Sequence, residues 1–253
     1  MNLASFQAHW LDILLALQKD PAASLPSDAH GEVFQDLSLP KAKAIAQMVE
    51  QGKVSVLCGV LPDPLKKLLP ATLQQTLAQS YARAFPESTV IPAAQGVPAW
   101  FRWLQEHSEV QKIPFATTLL AYELATLKLR FYQLPRLPEL THARLAPWAG
   151  LWVGTPRLEE VLSALIHQSP LPAAPELANA QQGWLLYRRH GTEIKRVAIH
   201  WGLFEVLSLL DGTHSWVYYL EQVCKAFPEL QSQRKTLEHW LIWIEKEQLL
   251  SYY

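Results

Sequence analysis

Residues 183–201 read GWLLYRRHGTEIKRVAIHW, and they decide the fold because the hydrophobic pattern changes its period here. Before Gly183 the apolar residues recur every three or four positions, which is typical of helices. After it, apolar and aromatic residues alternate with polar ones, as at Val197, Ile199 and Trp201. Residues 190–192 supply a glycine-containing turn between the two runs. The stretch therefore predicts a β-hairpin.

Three helical stretches follow the hairpin, at residues 203–210, 215–227 and 231–250. The first ends at Asp211 and Gly212, and glycine tolerates the left-handed backbone that closes many helices. A hairpin followed by three helices, two of them joined by a tight glycine turn, is the element order of a small winged-helix-like module. We therefore predict a winged-helix-like α+β domain over residues 183–253.

The residues before the hairpin predict a helical domain and a connector. Apolar residues at helical spacing mark several helices, at residues 3–17, 65–85, 98–106 and 115–132, with a weaker one at 39–51. Residues 134–141 contain closely spaced prolines, which resist regular structure. We predict a mainly α fold with a small β-hairpin, organised as a helical domain at 1–135, a proline-rich connector at 136–182 with one helix capped by Thr155, and the domain at 183–253.

The composition argues against several classes of protein. The 253 residues include 22 Lys and Arg against 23 Asp and Glu, so no basic nucleic-acid tail is expected. With 49% hydrophobic residues and 10 Trp, the chain is typical of a packed globular protein. No stretch approaches the roughly 18 apolar residues of a membrane helix, and no secretory signal is expected. Cys58 and Cys224 lie far apart in apolar stretches, which favours reduced, buried thiols in a cytoplasmic protein.

The predicted hairpin carries four cations around one turn. Basic side chains commonly decorate a solvated hairpin and protect a strand edge from unwanted pairing, and the residues alone favour this interpretation. The alternative is that the open edge accepts an extended peptide through main-chain hydrogen bonds, while the cations attract acidic side chains of that peptide. The peptide-binding candidates are then Leu185, Tyr187, Arg188, Arg189, Lys195, Arg196 and Val197.

Glu123 is a candidate for a structural ion pair. It lies on a predicted helix, and its neighbours three and four positions away carry no cation. A buried carboxylate there would need a partner from another element, for which Arg102 is a candidate. No second carboxylate or histidine stands at a useful spacing beside it, so catalysis is disfavoured.

Two pairs of tryptophans are spaced to share one face of a helix. They are Trp100 with Trp103 and Trp240 with Trp243. Each pair is a candidate for an aromatic binding patch or interface, but core packing is the favoured interpretation at three-residue spacing.

No catalytic or metal-binding pattern stands out in the sequence. The nine histidines form no H-x-H or H-x-x-x-H pair. Neither a glycine-rich phosphate loop nor a G-x-S-x-G nucleophile motif is present. We therefore expect no enzymatic activity and no metal or cofactor of the chain's own.

A helix-turn-helix at residues 203–227 would suit a DNA-binding transcriptional regulator. Its second helix carries one Lys, one Glu and no Arg. A DNA reader neutralises several phosphates at once, so this composition disfavours sequence-specific binding. A DNA-binding regulator stays the alternative function.

Spaced residues in both parts of the chain resemble a bacterial family that is labelled as DNA-binding. In the N-terminal part these are Leu73-x3-Leu77-x3-Tyr81 running to Phe85-Pro86, Gly96-x3-Trp100-Phe101-x2-Leu104, and Pro114 with Leu119 and Glu123. The family resembles partner proteins of multinuclear non-heme iron-dependent oxidases. Those oxidases modify cysteines in ribosomally made peptides, including bufferin-type copper-binding peptides.

The C-terminal part is similar to the second domain of such partners. Leu185-Leu-Tyr-Arg-Arg, Val197 and a helix ending in Leu209-Leu-Asp-Gly carry this similarity. That domain resembles a winged peptide recognition element, which receives a leader peptide as an added strand. The resemblance implies a non-catalytic adaptor that presents a precursor peptide to the oxidase, with the iron held by the oxidase. The composition and hydropathy predict no membrane partner, and the few cations of residues 215–227 disfavour nucleic acid. Residues 25–52 depart from the family pattern.

Overall fold

The computed structural model describes residues 12, 13, 15–17, 39–85, 93–130, 143–172, 181–188 and 193–252. It is mainly helical with small antiparallel sheets. The chain divides into two compact units, Met1–Ala116 and Thr117–Tyr253. The proline-rich stretch that suggested a boundary near residue 135 lies outside the described residues, and helical residues 117–130 group with the C-terminal unit.

Helices build the first unit. Pro62 and Pro70 precede two of them, since a fixed φ suits the start of a helix and no N–H is lost from the ladder there. Trp100 is fully buried, and its ring centroid lies 5.0 Å from that of Tyr81, as core packing predicts. The helices are α1 (Leu39–Gly59), α2 (Asp63–Leu68), α3 (Ala71–Ala84), α4 (Ala93–Glu106) and α5 (Ser108–Gln111).

The predicted helix at residues 3–17 is described only in part. Residues 12, 13 and 15–17 are helical, and Ile13 and Leu17 are buried. The other residues of this prediction lie outside the described residues. In the same unit, α1 runs eight residues beyond the weak helix predicted at 39–51, to Gly59.

The second unit combines helices with five strands in its described residues. They are α6 (Ala116–Arg130), β1 (Ala143–Leu145), β2 (Ala149–Gly154), α7 (Leu158–His167), β3 (Gln182–Tyr187), β4 (Lys195–Ile199), α8 (Trp201–Leu209), α9 (Trp216–Ala226), a 3₁₀ helix (Pro228–Gln233), α10 (Arg234–Lys246) and β5 (Leu250–Tyr252). Strand β3 pairs antiparallel with β2 on one side and β4 on the other. The β3–β4 pairing confirms the predicted hairpin, whose turn at 190–192 lies outside the described residues.

Helices contact both faces of the three-stranded sheet. On one face, Leu185, Tyr187 and Ile199 join the buried cluster formed with α8, α9 and α10. On the other face, Tyr122 of α6 packs edge-on against Trp152 of β2, with ring centroids 5.6 Å apart. Since side chains alternate along a strand, the two sets belong to opposite faces. The three-stranded sheet, which contains the hairpin, is therefore the middle layer of this unit.

A second sheet pairs β1 with β5 and was not predicted. The sequence suggested that the last helix runs to residue 250, but α10 ends at Lys246. Gln248 adopts a left-handed conformation with φ 58°, and the Leu249 N–H donates to the Ile244 carbonyl at 3.0 Å. Because this reversal uses glutamine rather than glycine, the sequence carried no stop signal there.

Two helix starts also differ from the prediction. Thr155 Oγ1 accepts a hydrogen bond from the Arg157 N–H at 3.2 Å, but α7 begins only at Leu158. Thr155 therefore shapes the turn before the helix instead of capping it. Helix α8 begins earlier than predicted, at Trp201, because the His200 ring Nδ1 accepts from the Gly202 N–H at 3.1 Å and acts as the N-cap.

A hydrogen-bonded turn joins α8 to α9. Gly212 has φ 85°, the left-handed conformation predicted at this helix end. The Asp211 carboxylate accepts from the Thr213 N–H at 2.8 Å, from the Thr213 hydroxyl at 2.6 Å and from the Tyr219 hydroxyl. These bonds lower the pKa of Asp211 to about 2, with the Thr213 hydroxyl the largest cause.

Gly154→Ala should destabilise the second unit. A Cβ at Gly154 would lie 1.9 Å from the Trp152 ring, which covers this position of β2. The ring would have to leave its packed position, at a cost of about 1–3 kcal/mol. The matched control is Gly150→Ala in the same strand, where the Cβ would meet only Leu129 at 3.7 Å. Urea unfolding followed by circular dichroism measures both, and equal midpoints for the two variants would refute the prediction.

Asp211→Asn should lower thermal stability at pH 7 more than at pH 2. The pKa of Asp211 is about 2 in the folded chain, against about 3.9 in an unfolded one. A carboxyl with a depressed folded pKa adds stability above about pH 4 and loses it as the pH falls through the folded value. Melting temperatures of wild type and variant at both pH values measure the effect. A difference that does not shrink at pH 2 would contradict it.

Candidate functional site

A groove lies between the edge strand β4 and helix α10. We call it the β4–α10 groove, and its volume is about 550 Å³. Within the described part of the chain, β4 pairs only with β3, so its outer backbone edge has no neighbouring strand. The groove therefore places an apolar surface next to unpaired main-chain groups. Its lining residues are Val197, Thr236, His239, Trp240 and Trp243.

Two tryptophans of α10 form the aromatic wall of the groove. Trp240 and Trp243 are half-buried and pack against the core of the unit, with their ring centroids 5.5 Å apart at 88°. Trp243 also meets Tyr187 of β3 edge-on at 6.3 Å. Contacts on several sides restrict both indoles, so the wall is formed before any ligand arrives. The two tryptophans therefore pack against the core, as predicted, and their remaining surface also lines the groove.

The free edge of β4 has two chemically different faces. Alternation along the strand puts Lys195, Val197 and Ile199 on the groove side and Arg196 on the opposite side. Lys195 is exposed, while Ile199 is buried in the core. Among the described cations of the hairpin, Lys195 is the one on the groove face.

Several predicted peptide-binding residues are placed elsewhere. Leu185 and Tyr187 are buried in the core, because β3 is the central strand and both of its edges are paired. Arg188 is also buried, and its Nη1 donates to the Arg130 carbonyl of α6 at 2.8 Å. These three side chains hold the fold together, and none of them lines the groove. Arg189 lies outside the described residues.

Arg196 faces α6 and α7 instead of the groove. Its Nη2 donates to Glu159 Oε2 at 2.8 Å and its Nε to Oε1 of the same carboxylate. Its Nη1 donates to the Tyr122 hydroxyl at 3.3 Å. The Glu159 hydrogen bonds raise the pKa of Arg196 further above its ordinary value, while burial raises the pKa of Tyr122. This cation is therefore already neutralised by its own chain.

Glu123 finds a partner on its own helix. Its Oε2 accepts from Arg130 Nη2 at 3.1 Å and from the Thr126 hydroxyl at 3.4 Å. Burial raises the pKa of Glu123, and Arg130 acts in the opposite direction. Arg102 is exposed on α4. Glu123 thus has an ion-pair partner that the sequence analysis did not consider, because a residue seven positions away shares the same helical face after two turns.

Of the groove residues on α10, Thr236 and His239 were not predicted as site residues, and Trp240 and Trp243 were predicted to pack in the core in preference to forming a binding patch. Thr236 and His239 gave no signal, since exposed polar residues on a helix are ordinary. Trp240 and Trp243 gave the only available signal, an aromatic pair on one helical face. The groove also needs β4 as its other wall, and no pattern in the sequence of α10 states which strand it packs beside.

Helices α8 and α9 occupy the residues of the predicted helix-turn-helix. Helix α9 exposes Val217 and Tyr218, and its one cation is Lys225. The His214 ring stacks on Tyr218 with centroids 4.1 Å apart. A surface of this kind offers phosphates little positive charge, which continues to disfavour DNA binding.

The first unit contains a polar cleft of about 670 Å³ between α1 and α3. An ion pair of 2.8 Å between Arg83 and Glu50 lies at this cleft, and so does Cys58. Burial raises the pKa of the Cys58 thiol, which makes it a weaker nucleophile. The other residues that line this cleft are mostly exposed glutamines. The β4–α10 groove is therefore the stronger candidate for a binding site.

Across the described ranges, no group of three or more His, Cys, Asp or Glu side chains is arranged to hold a metal ion. No helix in the part of the chain that the structure describes is long and apolar enough to span a membrane. The sequence matches no protein-family model and no curated protein.

Arg188→Glu should destabilise the fold. The substitution removes the donor to the Arg130 carbonyl and buries a negative charge beside that oxygen, at a cost of about 3 kcal/mol or more. Lys195→Glu makes the same charge change at an exposed position of the same hairpin and should stay within about 0.5 kcal/mol of wild type. Urea unfolding compares the two. Equal free energies of unfolding for the two variants would refute the prediction that the buried contact of Arg188 stabilises the fold.

Proposed function

We propose that this chain is a non-catalytic adaptor that binds an extended peptide along the outer edge of β4. One observation carries the proposal: within the described residues, an edge strand with an unpaired backbone lies beside a preformed apolar groove. Main-chain hydrogen bonds to such an edge give affinity without regard to sequence. The adjoining groove then selects among peptides by their side chains.

The chemistry of the groove suggests what the peptide carries. Alternate side chains of an added strand point to the same face, so every second residue of the peptide would enter the groove. Trp240, Trp243 and Val197 favour aliphatic or aromatic side chains there. Lys195 lies on the same face of β4 and favours an acidic residue near one end of the bound segment.

The order of elements supports a winged-helix-like domain. Hairpin β3–β4 is followed by α8, α9 and α10, and the groove lies between the hairpin edge and the last of these helices. Together with the family resemblance, this favours a ribosomally made precursor peptide as the ligand and an iron-dependent oxidase as the second partner. The oxidase would hold the iron and modify the peptide's cysteines, in the cytoplasm, while this chain presents the substrate.

Thr236→Arg should weaken peptide binding without unfolding the protein. Thr236 is exposed on α10 and lines the groove, so a long charged side chain there would fill the apolar space. The matched control is Ile242→Arg, which puts the same side chain at an exposed position of α10 outside the groove lining. Isothermal titration calorimetry with the precursor peptide encoded beside the gene should show at least about a tenfold loss for Thr236→Arg.

Three results would speak against the proposal. Wild-type protein that binds no neighbouring precursor peptide, with or without the oxidase, would remove the adaptor function. Equal affinity of Thr236→Arg and Ile242→Arg would remove the groove as the site. Tight binding of duplex DNA that falls steeply with salt would favour a regulator that uses α8 and α9.

A further inference from the structure

We infer that Arg196 is a positioning residue, which holds β4 in place from the face opposite the groove so that its outer edge is ready for a guest strand. This inference rests on the proposed function, since it assigns the cation of β4 a part in peptide binding without contact to the peptide. It also separates two neighbouring cations, Lys195 and Arg196, into different roles.

The geometry of Arg196 is that of a bidentate ion pair with an additional anchor. Two guanidinium nitrogens bond to the two carboxylate oxygens of Glu159, one of them at 2.8 Å. The third nitrogen donates to the Tyr122 hydroxyl at 3.3 Å, and the guanidinium carbon lies 5.9 Å from the centre of the Tyr122 ring. All three nitrogens are thus directed at α6 and α7, and a bidentate pair fixes the direction of the side chain as well as its charge.

The anchor on the helix side is itself restrained. The Tyr122 side chain is 5% exposed and packs against Trp152 of β2. Arg196 therefore links the edge strand, across the face of the sheet, to residues that are held by the opposite edge. Its own side chain is 27% exposed, so water competes for these bonds less than on an open surface.

Edge strand β4 has a specific need for such a link. It is five residues long and bonds to a neighbouring strand on one side only in the described sheet. Short edge strands open locally more easily than central ones. A guest strand that meets an ordered edge does not have to supply the free energy that orders this edge. The contacts of Arg196 with Glu159 and Tyr122, which we call the brace, therefore improve peptide affinity through pre-organisation.

Hydrogen exchange of the β4 amides and peptide affinity test this role together. The variants are Arg196→Ala, Glu159→Gln and the double variant, with Arg196→Lys as the milder change if Arg196→Ala does not fold. The matched control is Glu160→Gln, on the same helix as Glu159. It removes the charge of Glu160 from the 2.6 Å surface pair with Arg157 and leaves β4 untouched. The probe for affinity is the fluorescein-labelled precursor peptide encoded beside the gene.

We expect Arg196→Ala and Glu159→Gln each to speed exchange of the β4 amides roughly tenfold and to weaken peptide binding roughly fivefold. The double variant should be no worse than Arg196→Ala alone, because removing Arg196 already breaks the pair with Glu159. Glu160→Gln should match wild type in both measurements.

A different pattern would overturn the inference. If Arg196 contacts the peptide directly, Glu159→Gln leaves the charge of Arg196 free to bind the peptide. Peptide binding that is unchanged or tighter in Glu159→Gln, with unchanged hydrogen exchange of the β4 amides, would therefore refute the positioning role. Exchange is measured without peptide, so it tests the brace even if no peptide binds and the proposed function fails. Conversely, loss of binding in Thr236→Arg with none in Glu159→Gln would leave the adaptor in place and remove only the role of Arg196.

Discussion

Strand β3 buries four consecutive side chains, from Trp184 to Tyr187, and is paired along both of its edges. Successive side chains of a strand point to opposite faces, so a strand of this kind needs apolar cover on both sides. Helices α8 to α10 cover one face, and contacts of α6 and α7 with the sheet lie on the other. Strands β2 and β4 pair with the two edges of β3 and so become the two outer strands of the described sheet. The open edge of β4 is thus a consequence of burying β3 completely.

The same layering sorts the charges of the hairpin. Arg188 and Arg196 point to the face covered by α6 and α7, where a carbonyl and a carboxylate receive them. Lys195 points to the groove face and is exposed. In the described part of the hairpin, cations that are alike in the sequence therefore divide into Arg188 and Arg196, which stabilise the fold, and the exposed Lys195. Burial makes the difference, because a buried guanidinium needs partners and an exposed ammonium does not.

Both walls of the groove are held in place by contacts within the fold. Trp240 and Trp243 are fixed by the core beneath them, and β4 is held by β3 and by the side chain of Arg196. A surface that is ordered before binding loses little entropy when a peptide arrives. This property, more than the amount of apolar area, would suit the extended peptide that we propose as the ligand, because ordering such a peptide is costly.

The sequence by itself determined the mainly helical class, the pairing of β3 with β4 and the glycine turn at Gly212, since each depends on local periodicity or on one backbone conformation. Only the tertiary structure decided that β2 joins the hairpin, that Gln248 reverses the chain into β5, and that Arg196 meets Glu159. These features join residues far apart in sequence or use a residue with no special backbone preference, so no local pattern encodes them. The site follows the same rule: the sequence offered Val197 and the tryptophan pair of α10 separately, and the packing of α10 beside an edge strand made them one groove.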